Sequence, residues 1–258
     1  MVRKACLAAV ACCPVVVFAQ SIGGPRTFPQ FRDMAGLSGN GFPVLRDGVV
    51  DIHGALTLST PIAYTLKPGQ LVLGGASRSF DRSFRWVNTQ FGANNQKSDG
   101  TGQVVGAVKT PWGNVTLSHL VMSPAGDSVQ HLQFTFANDW RGATWSLGVH
   151  DITDRGQAAG DNLPVEDAKN SESFFVVGTK ALPNDSYFTA GYGTARYRGP
   201  FGSYSRMIGD RSRFFGEYDT FNWNFGFATE FHVGSKKAYL TAGLIRGDLA
   251  TWTLNFVL

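Results

Sequence analysis

The sequence predicts an all-β protein: a closed antiparallel transmembrane β-barrel of about twelve strands, preceded by an irregular N-terminal segment. Three observations lead there. Apolar and polar residues alternate along the strands from Arg211 to the end of the chain; the first residues read as a secretory leader that carries every cysteine; and the two long polar connections share one parity among otherwise short turns.

The alternation is clearest near the C-terminus. Trp223, Phe225, Phe227, Phe231 and Val233 share one face of a strand, interrupted only by Thr229. Asn222, Asn224, Gly226, Ala228, Glu230 and His232 share the other. The last strand repeats the pattern, with Trp252, Leu254, Phe256 and Leu258 opposed by Thr251, Thr253, Asn255 and Val257. Successive side chains of a strand point to opposite faces, so a period of two sorts them into an oily side and a wet side. A soluble sandwich shows the same alternation, and the destination of the chain decides between them.

Residues 1–19 supply that destination. Arg3 and Lys4 give a positive start, Ala5 to Phe18 an apolar run, and Val17-Phe18-Ala19 a small-residue cleavage pattern before Gln20. Pro14 in mid-run counts against a buried helix. Ala9-Val10-Ala11 before Cys12 also offers a lipoprotein signal, with a short apolar run and no Leu three residues earlier. Cys6, Cys12 and Cys13 are the only cysteines, so a chain cleaved after Ala19 has no disulfide, thiolate metal site or cysteine nucleophile. The composition of 31 Gly, 20 Phe, 6 Trp and 7 Tyr suits a barrel in which lipid-facing and lumen-facing residues average out. Loss of Arg3 and Lys4 takes the net charge from +4 to +2, too little to suggest nucleic acid.

Residues 20–68 are punctuated by Gly and Pro, which breaks any long strand or helix. They read as a periplasmic segment or a lumen plug, with one strand-like run from Val49 to Leu58. The barrel follows over residues 69–258. Its strands are expected near 70–79, 101–110, 114–123, 129–138, 142–153, 172–182, 186–197, 200–208, 212–220, 222–233, 236–246 and 249–258. Most have the length a tilted strand needs to cross a bilayer. Leu71, Val72 and Leu73 leave the faces of the first one ambiguous. Two connections are long and polar, 80–100 and 154–171. With twelve strands both lie on the side opposite the C-terminus, as expected if short turns and both termini are periplasmic. Trp112, Trp140, Tyr187 and Trp223 near strand ends suggest aromatic girdles.

The same alternation assigns Arg213, Glu217, Asp219, Asn224, Glu230 and His232 to the lumen, and Trp223, Phe225, Phe227, Trp252, Leu254, Phe256 and Leu258 to the lipid. An Arg on the lipid side at mid-bilayer would cost about 2–4 kcal/mol. The inner charges have two readings: a polar lining that binds or filters a solute, or opposite charges paired with one another to brace a narrow barrel, the expected one. No catalytic constellation emerges. Ser118 and His119 are neighbours in a strand and point apart, and there is neither a Gly-x-Ser-x-Gly elbow nor a His-Glu-x-x-His site. His53, His119, His131, His150 and His232 show no metal spacing, and no cofactor is expected.

Thr60-Pro61-Ile62-Ala63-Tyr64-Thr65-Leu66-Lys67-Pro68-Gly69-Gln70 resembles the opening of YjbH-like exopolysaccharide-associated outer-membrane barrels. Tyr192-Gly193-Thr194, Pro200-Phe201-Gly202 and Glu217-Tyr218-Asp219 followed by Phe221-Asn222 are similar to stretches of that family too. The resemblance implies an outer-membrane barrel linked to polysaccharide production or export, and brings no catalytic residue with it. The C-terminal Trp252, Leu254, Phe256, Leu258 row resembles the assembly signal of outer-membrane proteins, with Leu258 where an aromatic residue is usual.

The expectation is therefore a non-enzymatic outer-membrane barrel acting in envelope structure, polar-solute passage or surface polysaccharide production. Its expected partners are outer-membrane lipid, the barrel-assembly machinery and, as a candidate, polysaccharide, with no nucleic acid. A barrel-type lipid-modifying hydrolase and a secreted carbohydrate-binding β-sandwich are the alternatives.

Overall fold

The computed structural model describes residues 41–78, 101–121, 128–153, 172–195, 197, 199–220, 222–245, 247 and 249–258. The expected leader over 1–19 with the lipoprotein signal at Cys12, residues 20–40 and both long connections lie outside these. Twelve strands form a single closed sheet. They are β1 (Leu71–Arg78), β2 (Thr101–Thr110), β3 (Gly113–Val121), β4 (Ser128–Phe136), β5 (Thr144–His150), β6 (Ser173–Leu182), β7 (Ser186–Gly193), β8 (Gly199–Gly209), β9 (Ser212–Tyr218), β10 (Trp223–Val233), β11 (Lys236–Ile245) and β12 (Leu249–Val257).

Every strand pairs antiparallel with its sequence neighbours, and β1 closes on β12 with Leu73 opposite Phe256 and Gly75 opposite Leu254. The Leu258 N–H donates to the Leu71 carbonyl at 2.8 Å. No edge is left, which is what lets a sheet satisfy its own backbone without water.

Turn chemistry sets one rim. Arg141 and Gly142, both with positive φ, link Trp140 to Ala143 as a two-residue hairpin that matches the strand twist. Asn184 and Asp185 (φ 60° and 50°) serve the same purpose between β6 and β7. All the short turns after even-numbered strands share this rim with Leu71 and Leu258. The two long connections, after β1 and β5, leave from the opposite rim.

The outer wall is a belt of exposed apolar side chains, including Leu73, Val104, Leu117, Leu147, Phe174, Phe188, Phe214, Phe225, Phe227, Leu240 and Trp252. Trp223 and Leu258 are exposed with them, while Leu254 and Phe256 are half-covered by neighbours on the same face. The ambiguous first strand resolves: Leu71 and Leu73 face out, and Val72 is wholly buried inside. Aromatic clusters mark both ends of the belt. Trp112, Phe136, Trp140 and Trp145 lie at the short-turn rim, with the Arg141 guanidinium 4.5 Å from the Trp140 ring. At the other end Trp223 packs on Tyr218 and Phe225, ring centroids 5.2 and 6.2 Å apart. Tyr187 is not part of a girdle. It is buried in the lumen, its ring edge-on to Tyr64.

Candidate functional site in the barrel lumen

The lumen is occupied by residues 41–66, most of them buried. The expected strand over 49–58 does not form. Its place is taken by a compact coil in which Val44 bridges both Val50 and Ala55. Two glycines permit that coil. Gly48 has φ +85° and sits against Thr65 to Lys67, where a Cβ would lie 2.4 Å from the Lys67 nitrogen. At Gly54 a Cβ would lie 2.2 Å from the Val44 carbonyl carbon, so only glycine allows the approach.

Phe42, Val44, Val50, Ile52, Leu56, Leu58, Ile62 and Leu66 form an apolar core with the wall residues Val72, Val105, Phe215, Tyr239, Ile245 and Leu249. Burying each large side chain contributes about 1.5–3 kcal/mol. Inward-facing glycines make room for interior rings: a Cβ on Gly148 would meet the Phe175 ring at 2.2 Å, and one on Gly191 the Phe201 ring at 2.3 Å.

A coil without a ladder has backbone groups that the wall must satisfy. Glu217 meets the largest share. Its carboxylate accepts from the Leu58 N–H (3.0 Å), the Ser59 N–H (2.9 Å), the Thr60 N–H (3.3 Å), the Ser59 and Thr60 hydroxyls (2.5 and 3.0 Å) and the Asn224 amide (2.9 Å). Asn224 also reaches the Ser59 hydroxyl and Asp219. Arg213 is the converse, a donor for carbonyls. Its Nε donates to the Ile52 carbonyl at 2.7 Å, and Nη2 to His53 and Asp185 carbonyls at 2.9 and 2.8 Å. Its guanidinium lies 5.2 Å from the Tyr187 ring.

Other wall residues complete the grip. Thr135 and Ser146 donate to the Ala63 carbonyl, Gln133 to Ile62, and the Thr179 hydroxyl accepts the Ala63 N–H. Thr241, Thr253 and Asn255 converge on the Gly41 carbonyl. On β8 the Ser205 hydroxyl accepts the Leu56 N–H at 3.2 Å, so contacts run from β4, β5 and β6 to β8 through β12, most of the circumference.

Arg213, Glu217 and Asn224 are wholly buried and Asp219 nearly so. The expectation that the inner charges pair with one another is corrected: Arg213 and Glu217 hold the coil's carbonyls and N–H groups instead. The reason is that an unladdered backbone exposes both kinds of group to a dry interior. Glu230 and Lys237 do pair, at 3.3 Å, with Lys237 also 2.9 Å from Asp51. Burial pushes the Asp51 carboxyl up, but the hydrogen bonds from Lys237 and the His53 N–H, with the nearby Lys237 charge, hold it below its ordinary value. Burial pushes the Tyr64 phenol up. His232 has inward parity but lies exposed on the short-turn rim, away from this network.

Ser118 is buried inward while His119 is exposed outward, bonded to Gln130 at 2.9 Å. His131 and His150 stack in the lumen with ring centroids 3.7 Å apart, and the Asp151 N–H donates to His131 Nδ1. Among the described residues no cluster of three metal-ligating side chains occurs. The inward aromatics Phe175, Phe201 and Phe215 are unforeseen by a rule that makes the lumen polar. For Phe175 and Phe215 the signal is the doublet: Phe174-Phe175 and Phe214-Phe215 put an apolar side chain on both faces of one strand, whereas Phe201 has no such neighbour.

No protein family and no curated protein sequence matches the chain. Among solved structures it is similar to a KdgM porin in complex with disordered oligogalacturonate, with a TM-score of 0.45 and 5% identity over 73% of this chain and 97% of that one. It is also similar to the outer membrane channel of Pseudomonas putida F1, with a TM-score of 0.39 and 10% identity over 75% and 96% of the two chains. At these values the likeness is one of barrel form and carries no substrate with it.

Proposed function

We propose that the chain is a non-enzymatic outer-membrane β-barrel whose lumen is held shut by its own residues 41–66, and that it passes polar solute only when this segment moves. The supporting observation is the polar ring, centred on Glu217 and Arg213, that grips the coil's backbone from most of the wall. The eight large apolar side chains of the segment in the core together make complete ejection cost on the order of 12–24 kcal/mol. Opening is therefore a local shift of the coil or the result of an applied pull, not spontaneous loss.

The belt of exposed apolar residues between two aromatic clusters supports the membrane placement. In this reading residues 1–19 are removed, 20–68 precede and fill the barrel, and 69–258 span the membrane with the short turns and both termini in the periplasm. Lipid and the barrel-assembly machinery are its partners. A place beside surface polysaccharide rests on the family resemblance, and two of its motifs meet in space where Thr60 bonds Glu217. Loss of surface polysaccharide in a strain lacking the chain is the check on that part.

Planar-bilayer recording tests the gate. The intact protein is expected to stay closed, and a barrel lacking residues 41–66, shown to be folded by heat-modifiable migration, to conduct. Steady conductance of the intact chain, or a silent folded barrel without the segment, would overturn the reading.

A further inference from the structure

Two cations stand together on the outer face of the barrel, among the apolar side chains of the belt. Lys180 of β6 shares a cross-strand row with Phe188 of β7 and Tyr204 of β8. Arg206 lies in the next row of the same face, with Ser186 and Phe214. Phe188 and Tyr204 are 51% and 39% exposed, and Lys180 and Arg206 are exposed beside them, whereas the alternate residues Thr179, Thr189 and Ser205 are buried inward. With strands about 4.8 Å apart and a rise of about 3.3 Å per residue, the two Cα atoms lie roughly 12 Å apart, so both long side chains can reach one ligand.

The depth of the pair is set by the hairpin between β6 and β7. Leu182 and Ser186 are its closing partners, which puts Arg206 in the last row before the short-turn rim and Lys180 in the row above. A cation on a lipid-facing wall is costly at mid-bilayer and nearly free of cost at the headgroups. The pair therefore sits at headgroup level, its aliphatic stems laid along the wall. Among the described residues neither side chain is engaged by an ion pair or a hydrogen bond. The outward positions of β6 to β9 carry no carboxylate. In the flanking turns, Asp185 pairs with His53 at 2.9 Å, and Asp210 is followed directly by Arg211. The wall leaves both positive charges to be met from outside the chain.

We infer that Lys180 and Arg206 form a docking site for the phosphate of an anionic glycerophospholipid, whose acyl chains lie over Phe188 and Val176. The inference rests on the membrane placement proposed above and goes beyond it by selecting a lipid class. Arg206 presents a fork that matches two phosphate oxygens, Lys180 a point charge, and Tyr204 a hydroxyl between them. Position decides the occupant: a soluble anion leaves Phe188 uncovered, whereas a lipid meets the charges and buries the ring.

The experiment is native mass spectrometry of the full folded chain, released from detergent containing equal amounts of phosphatidylglycerol and phosphatidylcholine with identical acyl chains. Retained phosphatidylglycerol is expected to exceed phosphatidylcholine by about fivefold or more, and the ratio to fall to about one in the Lys180→Ala, Arg206→Ala double variant. A Lys67→Ala, Lys109→Ala control removes two positive charges at the lumen mouth instead and should keep the wild-type ratio. Heat-modifiable migration verifies that each variant folds. Equal retention of the two lipids by the wild type, an unchanged ratio in the patch variant, or the same loss in the control would overturn the assignment. Displacement of the lipid by soluble glycerol phosphate would overturn it too, since the patch would then be a site for a free phosphate. A chain that fails to insert into vesicles would remove the membrane placement as well, whereas insertion without lipid preference would remove this site alone.

Discussion

Glu217→Ala is the sharpest perturbation of the lumen. The carboxylate accepts from three backbone N–H groups, two hydroxyls and the Asn224 amide, all buried. Leaving a buried donor unsatisfied costs about 1–3 kcal/mol, so the three N–H groups alone set a scale of roughly 3–9 kcal/mol. Water entering the space left by the side chain pulls this toward the low end, about 3–5 kcal/mol. At ~1.4 kcal/mol per decade, amide exchange at Leu58, Ser59 and Thr60 accelerates by roughly two to three and a half orders of magnitude. Strand amides far from the segment, such as those pairing β2 with β3, keep their wild-type rates. Glu217→Gln is expected to fall near the alanine variant, because its amide turns a donor toward other donors. Site-resolved hydrogen exchange in detergent micelles measures both. Wild-type exchange at Leu58 to Thr60 in Glu217→Ala would refute the claim that this carboxylate holds the coil.

Arg213→Lys is expected to loosen the Ile52–His53 stretch by about 2–4 kcal/mol, since an ammonium cannot reproduce a guanidinium fork spread over three carbonyls; exchange at Gly54 and Ala55 reads it. Gly54→Ala should lower the denaturant midpoint of the folded barrel, its new Cβ driven against the Val44 carbonyl, and an unchanged midpoint would contradict the packing. For pH, the Asp51 carboxyl sits below its ordinary 3.8, so its support is complete above that value and fades as pH falls through the lower folded one. Protection of residues 51–54 should hold from about pH 8 to 5 and weaken only below about pH 4; loosening between pH 7 and 5 would contradict the assignment. Phe227→Arg, on the exposed mid-belt, should cost about 2–4 kcal/mol in lipid, read from folding titrations in vesicles.

The wall was legible in the sequence because a strand reports its two faces directly. Trp223, Phe225 and Phe227 alternate with Asn224, Gly226 and Ala228, and the structure keeps that division. Twelve strands and the shared side of the two long connections followed from turn residues and parity. Residues 41–66 resisted for a physical reason: a coil that follows no period offers nothing for a periodic rule to detect. Its burial is decided by wall groups far away in the chain, from 71 residues between Ile62 and Gln133 to 158 between Ser59 and Glu217. Glu217 and Arg213 were legible as inward charges, but their partners were not, because backbone N–H and carbonyl groups carry no sequence signature. The interior Phe175 and Phe215 stayed hidden for a related reason. An inner face is polar only where it meets water; here Phe215 meets the apolar segment, and Phe175 packs with Ala63, Val177, Tyr197 and Phe201.

Single-cysteine labelling of the chain in lipid vesicles tests the central claim most directly, a lumen filled by the chain's own coil inside a lipid-facing wall. With Cys6, Cys12 and Cys13 removed or replaced by serine, Ser59→Cys and Phe227→Cys each carry one thiol. The account predicts that a water-soluble maleimide leaves the thiol at 59 unmodified until the protein is unfolded, and that the thiol at 227 reacts only with a membrane-soluble reagent. Rapid aqueous labelling at 59 in the folded barrel, or at 227, would contradict it.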